Sequence, residues 1–246
     1  MHIYQIIIEY DGTNYAGWQK QKNGKSIQET IEKVLKKLLK YRIILYGSGR
    51  TDAGVHAIAQ SAHFSLPFII KNSVNFLKSL NFFLKKKNIV ITSIKKRNKS
   101  FHARFSAKKR IYKYIIINRF ADTVLDFNRT WHIRNLLNIK LMKEGTKVLL
   151  KTRDFSMFRS SSCAARSPIR KLDAFKIKKE KDKIIIFVKS RSFLQQQVRS
   201  MVGCLKYLGE KKWDVKTFKK LIKLKNRLNC APPAPAKGLY LQKIIY

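Results

Sequence analysis

The residues best placed to do chemistry lie in one short string, Gly47-Ser48-Gly49-Arg50-Thr51-Asp52-Ala53-Gly54-Val55-His56-Ala57. Three glycines in eight residues, directly after the apolar run Ile43-Ile44-Leu45-Tyr46, predict a strand that ends in backbone turns which side chains would obstruct. Asp52 is the carboxylate of that turn, with Arg50 two residues before it and no second acid nearby. Such an aspartate either bonds its own backbone in an Asx-turn or serves as a reagent, an ionised carboxylate acting as nucleophile or base. A second candidate is Arg199. In the helix predicted from Phe193 to Gly203, Leu194, Val198, Met201 and Val202 share a face, and an arginine flanked by them needs a counter-charge, because burying it unpaired is prohibitive. A third is the strand from Ile111 to Ile117, which places Tyr112 and Tyr114 on one face and Ile111, Lys113 and Ile115 on the other.

Other reactive side chains form no such pattern. His2, His56, His63, His102 and His132 share no metal-ligand spacing, and His102 reads as a local hydrogen-bonding residue that caps a loop. Cys163, Cys204 and Cys230 are odd in number and widely separated, without a Cys-x-x-Cys pair, so neither a disulfide framework nor a zinc site is indicated and a reducing cytoplasm fits. The first residues have no basic leader before an apolar core, and no apolar run approaches a membrane span.

Composition defines the partner class. The 246 residues carry 54 Lys+Arg against 14 Asp+Glu, a formal charge of +40, far beyond what solubility needs. A field of that sign attracts polyanions, and nucleic acid is the favoured one. At 45% hydrophobic content the chain can bury one large core or two smaller ones, and disorder is not expected.

The elements that must position these residues follow in chain order. Residues 2 to 10 are β-branched and aromatic and stop at Asp11-Gly12, as a buried strand before a turn does. Trp18 reads as a half-buried aromatic lid. Ser26-Ile27-Gln28-Glu29 forms a capping box, and Ile27, Ile31, Val34, Leu35 and Leu38 then recur at helical spacing, so residues 27–40 make an amphipathic helix with Lys33, Lys36, Lys37 and Lys40 opposite. A strand over Gln60–Leu66, a helix over Ser73–Lys85 and a strand over Ile89–Ile94 complete an α+β order. Residues 118–135 show few regular patterns and read as a loop or dimer-contact region; Leu136–Leu150 returns to helical period. Ser160 to Pro168 is a polar, basic insertion. Arg170–Lys178 and Lys183–Lys189 read as adjacent strands joined by Lys179-Glu180-Lys181-Asp182, residues 214–225 as a last basic helix, and Ala231-Pro232-Pro233-Ala234-Pro235-Ala236 as an extended segment before a final strand.

Gly49-Arg50-Thr51-Asp52-Ala53-Gly54-Val55-His56-Ala57 resembles the signature of the TruA-type tRNA pseudouridine synthases. The likeness continues through Tyr10-Asp11-Gly12-Thr13 with Gly17-Trp18-Gln19, through Phe101-His102-Ala103-Arg104-Phe105-Ser106-Ala107, through Asp154-Phe155-Ser156, where Arg153 stands in place of a common histidine, and through Lys237-Gly238-Leu239-Tyr240-Leu241. The resemblance implies an α+β fold of two related lobes, residues 1–100 and 101–246, with mixed, mainly antiparallel sheets joined into one platform, helices outside and an RNA cleft between. It implies an isomerase that converts uridine to pseudouridine at positions 38, 39 and 40 of the tRNA anticodon stem-loop, without cofactor or metal, as a homodimer contacting anticodon arm and elbow. Asp52 then matches the catalytic carboxylate, Arg199 its ion-pair partner, Tyr112 the ring that packs on the target uracil, Arg50 a phosphate-holding or space-filling cation, and Leu239 part of the uracil pocket. Two rival readings are a related synthase with another target uridine and a non-catalytic RNA-binding protein that retains the fold.

Overall fold

The computed structural model describes residues 1–22 and 24–246 of the chain. They divide into two compact units, 1–108 with 240–246 and 109–239. The first begins with β1 (His2–Tyr10), whose Ile6 and Ile8 are fully buried. Helix α1 (Ile27–Leu39) starts where Ser26 Oγ accepts the Glu29 N–H at 3.2 Å and stops where Lys40 turns left-handed, φ 53°. The Glu29 carboxylate pairs with Lys33 one turn on, at 3.1 Å. Ile27, Ile31, Val34 and Leu35 form its buried stripe, as their spacing requires.

The apolar run 43–46 does not build the expected strand: only β2 (Tyr46–Gly47) forms, pairing Tyr46 with His63 and Gly47 with Ala62 on β3 (His56–Leu66). Side chains of α1 take the backbone groups a partner strand would have used. Glu32 accepts the Leu45 N–H at 2.9 Å and Gln28 donates to the Leu45 carbonyl at 3.0 Å. Helix α2 (Ser73–Leu84) and β4 (Ile89–Arg97) follow. β1 lies between β3 and β4, antiparallel to both, from His2↔Leu66 to Tyr10↔Ala57 on one side and from Ile3↔Arg97 to Tyr10↔Ile89 on the other.

The second unit is built on β5 (Lys109–Asn118), β6 (Trp131–Ile133), α3 (Ile139–Leu149), β7 (Lys151–Asp154), β8 (Ile169–Glu180), β9 (Lys183–Ser190), α4 (Gln197–Gly209) and α5 (Val215–Lys223). Strands run in the order β5-β9-β8-β7, antiparallel at each step, with β6 parallel on the far edge of β5. The charged turn places Glu180 opposite Lys183, as expected for a hairpin. Residues 118–135, read as a loop, contain β6 because buried Asn118 acts as a clasp: its amide donates to the Ile133 and Asn135 carbonyls at 2.9 and 2.8 Å and accepts the Leu137 N–H at 2.9 Å. Helix α4 begins four residues later than its apolar pattern suggests. Gln196 sits left-handed at φ 60°, and the Gln197 side chain accepts the Leu194 N–H at 2.8 Å.

The chain then returns to the first unit as β10 (Leu239–Ile245), parallel to β3 with Tyr240 opposite His56. The fold is thus α+β with mostly antiparallel strands. Among the described residues no helix is long and apolar enough to cross a membrane.

Candidate active site

The Asp52 loop is fixed at both ends by buried polar groups. On the incoming side Gln60, fully buried on β3, accepts the Ser48 hydroxyl at 2.7 Å and donates to the Gly49 carbonyl at 2.9 Å; the Ser48 N–H reaches the Ser61 carbonyl at 2.7 Å. Thr51 Oγ1 lies 2.8 Å from the Tyr10 hydroxyl. On the outgoing side the Val55 N–H donates to the Asp52 carbonyl at 3.2 Å, closing a turn whose Gly54 takes φ 74°. These bonds set the backbone on both sides of Arg50 and Asp52, leaving Arg50 exposed and Asp52 half-buried.

A second loop, residues 11–18, lies directly against the first. The Trp18 N–H donates to the Thr51 carbonyl at 3.1 Å, and the Gly54 N–H to the Tyr15 carbonyl at 3.3 Å. Gly17 is at φ 109°, where side chains are strained, and a Cβ there would sit 2.6 Å from the Thr51 oxygen. At Gly12 the approach is closer still, 2.0 Å from a built Cβ to the Val55 oxygen. Trp18 is not the half-exposed lid expected: it is 2% exposed, tilted against Tyr10 at 6.2 Å, and forms the floor of the loop pair. His56 closes the arrangement. Its Nδ1 accepts the Gly12 N–H at 3.1 Å and lies 3.2 Å from Asp11 Oδ1, while its ring stacks on Tyr240 at 4.8 Å.

The remaining sequence candidates belong to the second unit. Arg199 on α4 is half-buried, and its Nε donates to the Ala234 carbonyl at 2.7 Å while its own carbonyl accepts the Ala234 N–H at 3.0 Å. The extended segment is therefore zipped to the helix at that residue. Tyr112 is buried on β5, edge-on to Phe193 at 5.3 Å. Tyr114, two residues on and on the same face, donates its hydroxyl to the Pro235 carbonyl at 2.8 Å and lies against Gly238, immediately before buried Leu239. Burial pushes the Tyr114 phenol well above its ordinary range, with the Arg199 charge opposing. Arg199, Tyr114 and Leu239 are thus gathered around residues 234–239, a segment whose place comes from these bonds rather than from any pattern of its own.

Two other motif acids and bases have structural duties. Burial favours the neutral form of Asp154, yet hydrogen bonds from Ser156 and the Lys225 ammonium 3.4 Å away hold its carboxyl below the usual range. His102 Nδ1 accepts the Arg104 N–H at 3.1 Å, the local capping role expected of it. Sequence reasoning did not single out Gln60 or the contact role of Gly12 and Gly17. A glutamine inside an apolar strand and two glycines flanking an aromatic turn were the available signals.

Apart from Asp11 beside His56, carboxylates are scarce here: after Asp52 the next acid in the chain is Asp122. A loop presenting one carboxylate, followed by a strand, helix, strand and turn whose charged side chains are all cationic, gives a local field that suits a polyanionic partner.

A family model described as tRNA pseudouridine synthase matches residues 6–106 and 147–246. A tRNA pseudouridine synthase A of Pelagibacter ubique is 58% identical over 246 residues, all of both chains. Proteins of the same name from Maricaulis maris and Paramagnetospirillum magneticum are 39% and 41% identical over 243 residues, covering 99% of this chain and 97% and 94% of theirs. The chain belongs to the tRNA pseudouridine synthase family.

Proposed function

We propose that this protein isomerises uridine to pseudouridine at positions 38, 39 and 40 of the tRNA anticodon stem-loop, with Asp52 as the catalytic carboxylate. The observation that carries the reading is the double clamp on the Asp52 loop, from Gln60 beneath Ser48 and Gly49 and from the 11–18 loop against Thr51 and Val55. A carboxylate held on immobile backbone is what attack on a ribose, or proton removal from one, requires. The reaction breaks N1–C1′, turns the uracil and joins C5 to C1′, so atoms and electrons balance within the substrate. In this reading Arg199 is the ion-pair partner of Asp52, Tyr112 packs on the extruded uracil, Leu239 lines its pocket, and Arg50 holds phosphate or fills the vacated space. Extrusion costs a few kcal/mol of stacking, which ring contacts in the pocket offset.

The working unit in this reading is a homodimer. Support comes from Phe120, Val124, Leu125 and Phe127, which stand 59–96% exposed within one short stretch of the second unit, an apolar surface suited to a second copy of the chain.

The test is incubation of purified protein with unmodified tRNA transcripts and position-resolved detection of pseudouridine. Product at 38–40 is expected from the wild type, and none from Asp52→Asn, which should bind the transcript nearly as well. Turnover by Asp52→Asn, or product only at other positions, contradicts the proposal. Loss of the dimer mass in Leu125→Asp, measured by light scattering, tests the interface separately.

A further inference from the structure

Beside the Asp52 loop, the first unit holds a series of rings that the proposed chemistry does not use. Tyr46 stacks on His63 with centroids 5.1 Å apart and planes 23° apart; His63 meets His102 at 4.6 Å; His102 lies 4.4 Å from Phe105. Tyr46 and His102 are also in direct contact at 5.6 Å. The middle of this series is interior, His63 being 5% exposed, but its two ends are not: Tyr46 is 45% exposed and Phe105 74%.

Phe105 does not stand in water through slackness of its backbone. The Ser106 N–H donates to the His102 carbonyl at 2.9 Å, the His102 N–H to Ser106 Oγ at 3.0 Å and the Arg104 N–H to His102 Nδ1 at 3.1 Å. Below the turn, the Ala103 N–H donates to His63 Nδ1 at 3.2 Å. Four hydrogen bonds therefore hold out a phenyl ring that the hydrophobic effect would otherwise draw inward. Tyr46 is fixed as well, through its pairing opposite His63 in β2. Burial pushes His63 down to about 4, the charge of His102 adding to the effect, and lowers His102 too, so the imidazoles meet edge-on, their planes 63° apart, as neutral rings at pH 7.

The surroundings select the occupant. The Arg104 guanidinium lies 5.6 Å from the Phe105 ring, and no carboxylate occurs between Ala53 and Ala121, the stretch that supplies every residue of the cluster except Tyr46. Exposed rings in a setting poor in carboxylates and bordered by a guanidinium suit a flat ligand that carries negative charge on its backbone, an unpaired nucleotide in single-stranded RNA. Resting on the RNA substrate proposed above, we infer that Tyr46, His102 and Phe105 form a stacking platform for an unpaired base of the substrate other than the uracil that reacts. Its position directly before Gly47 in the chain ties that base to the loop carrying Asp52.

The experiment measures binding of an unmodified tRNA transcript by filter retention, across a salt series, for wild type, Phe105→Ala, Phe105→Leu and Phe105→Trp. Loss of one stacked base corresponds to a roughly 5- to 150-fold weaker Kd in Phe105→Ala. Because no phosphate contact is removed, the slope of log K against log salt should be unchanged, Phe105→Trp should bind like wild type, and Phe105→Leu should stay weak, an aliphatic group having no π-face to offer. Wild-type binding by Phe105→Ala overturns the platform. So does full rescue by Phe105→Leu, a changed salt slope, or a fall in molecular mass that marks the ring as a contact between copies. Pseudouridine formation by the wild type is scored separately, so a failure of the proposed chemistry and a failure of the platform are read from different measurements.

Discussion

Gly12 offers a direct test of whether the 11–18 loop positions Asp52. An ideal Cβ at Gly12 would lie 2.0 Å from the Val55 oxygen, 2.7 Å from its carbonyl carbon and 3.2 Å from its nitrogen, where contacts under 3.0 Å are essentially never seen. All three atoms are backbone, so no side chain can swing away; the loop itself must retreat by about 1 Å (3.0 minus 2.0). The Val55 N–H is bonded to the Asp52 carbonyl, so that retreat carries Asp52 with it. Overpacking of this kind costs about 1–3 kcal/mol of stability, which a chain of this size tolerates. The effect on chemistry is larger, since misplacing a reacting group by about 1 Å lowers turnover by about 100-fold. Gly12→Ala should therefore remain folded, bind tRNA transcript within a few-fold of wild type, and form pseudouridine about two orders of magnitude more slowly. Gly145→Ala is the control: its Cβ would press on the Leu208 and Leu205 methyls at 2.4 and 2.9 Å, flexible side-chain ends on a helix in the other unit, and turnover per folded molecule should not change. Undiminished turnover in Gly12→Ala, or an equal loss in Gly145→Ala, refutes the argument.

Two further outcomes follow from single side chains. His63 titrates near 4 when folded against 6.5 ordinarily, so on acidification the unfolded chain takes up its proton first; stability is unaffected above pH 6.5 and falls between 6.5 and 4 by up to about 3 kcal/mol. His63→Asn, which keeps an acceptor for the Ala103 N–H, should flatten that part of a urea-midpoint-against-pH curve, and identical curves for the two proteins would contradict the assignment. Tyr114→Phe strands the Pro235 carbonyl and should lower the urea-unfolding free energy by about 1–3 kcal/mol, a result that an unchanged midpoint would exclude.

What the sequence displayed, and what it hid, follows from the range of the interactions involved. The Asp52 loop could be read because its glycines and its solitary acid are neighbours in the chain, and α1 because Ile27, Ile31, Val34 and Leu35 repeat at its own period. The β8–β9 hairpin could be read because its turn is local. Ile43–Leu45 misleads because β-branched residues report a preference that α1 overrides when Gln28 and Glu32 take the Leu45 backbone groups. Trp18 misleads because its burial depends on the loop it supports, 33 residues away at Thr51. The value of Gln60 likewise depends on Ser48 and Gly49 arriving above it, and the segment around Ala234 and Pro235 owes its place to Arg199 and Tyr114. In each case the deciding partner is remote in the chain, and no local pattern encodes it.

The parallel pairing of Tyr240 with His56 has a consequence for how the molecule comes into being. About 130 residues of another unit must leave the ribosome before β10, which pairs with the start of β3, exists at all. Until then the start of β3, ahead of the short β2 pairing at Ala62 and His63, presents an unpaired margin directly after the Asp52 loop, open to the wrong neighbour. Closing so wide a loop is slow, so a nascent or heat-stressed population should pass through a form with the second unit assembled and the Asp52 turn still unsupported on one side. Chaperone dependence and inactivation on heating should both originate at that seam.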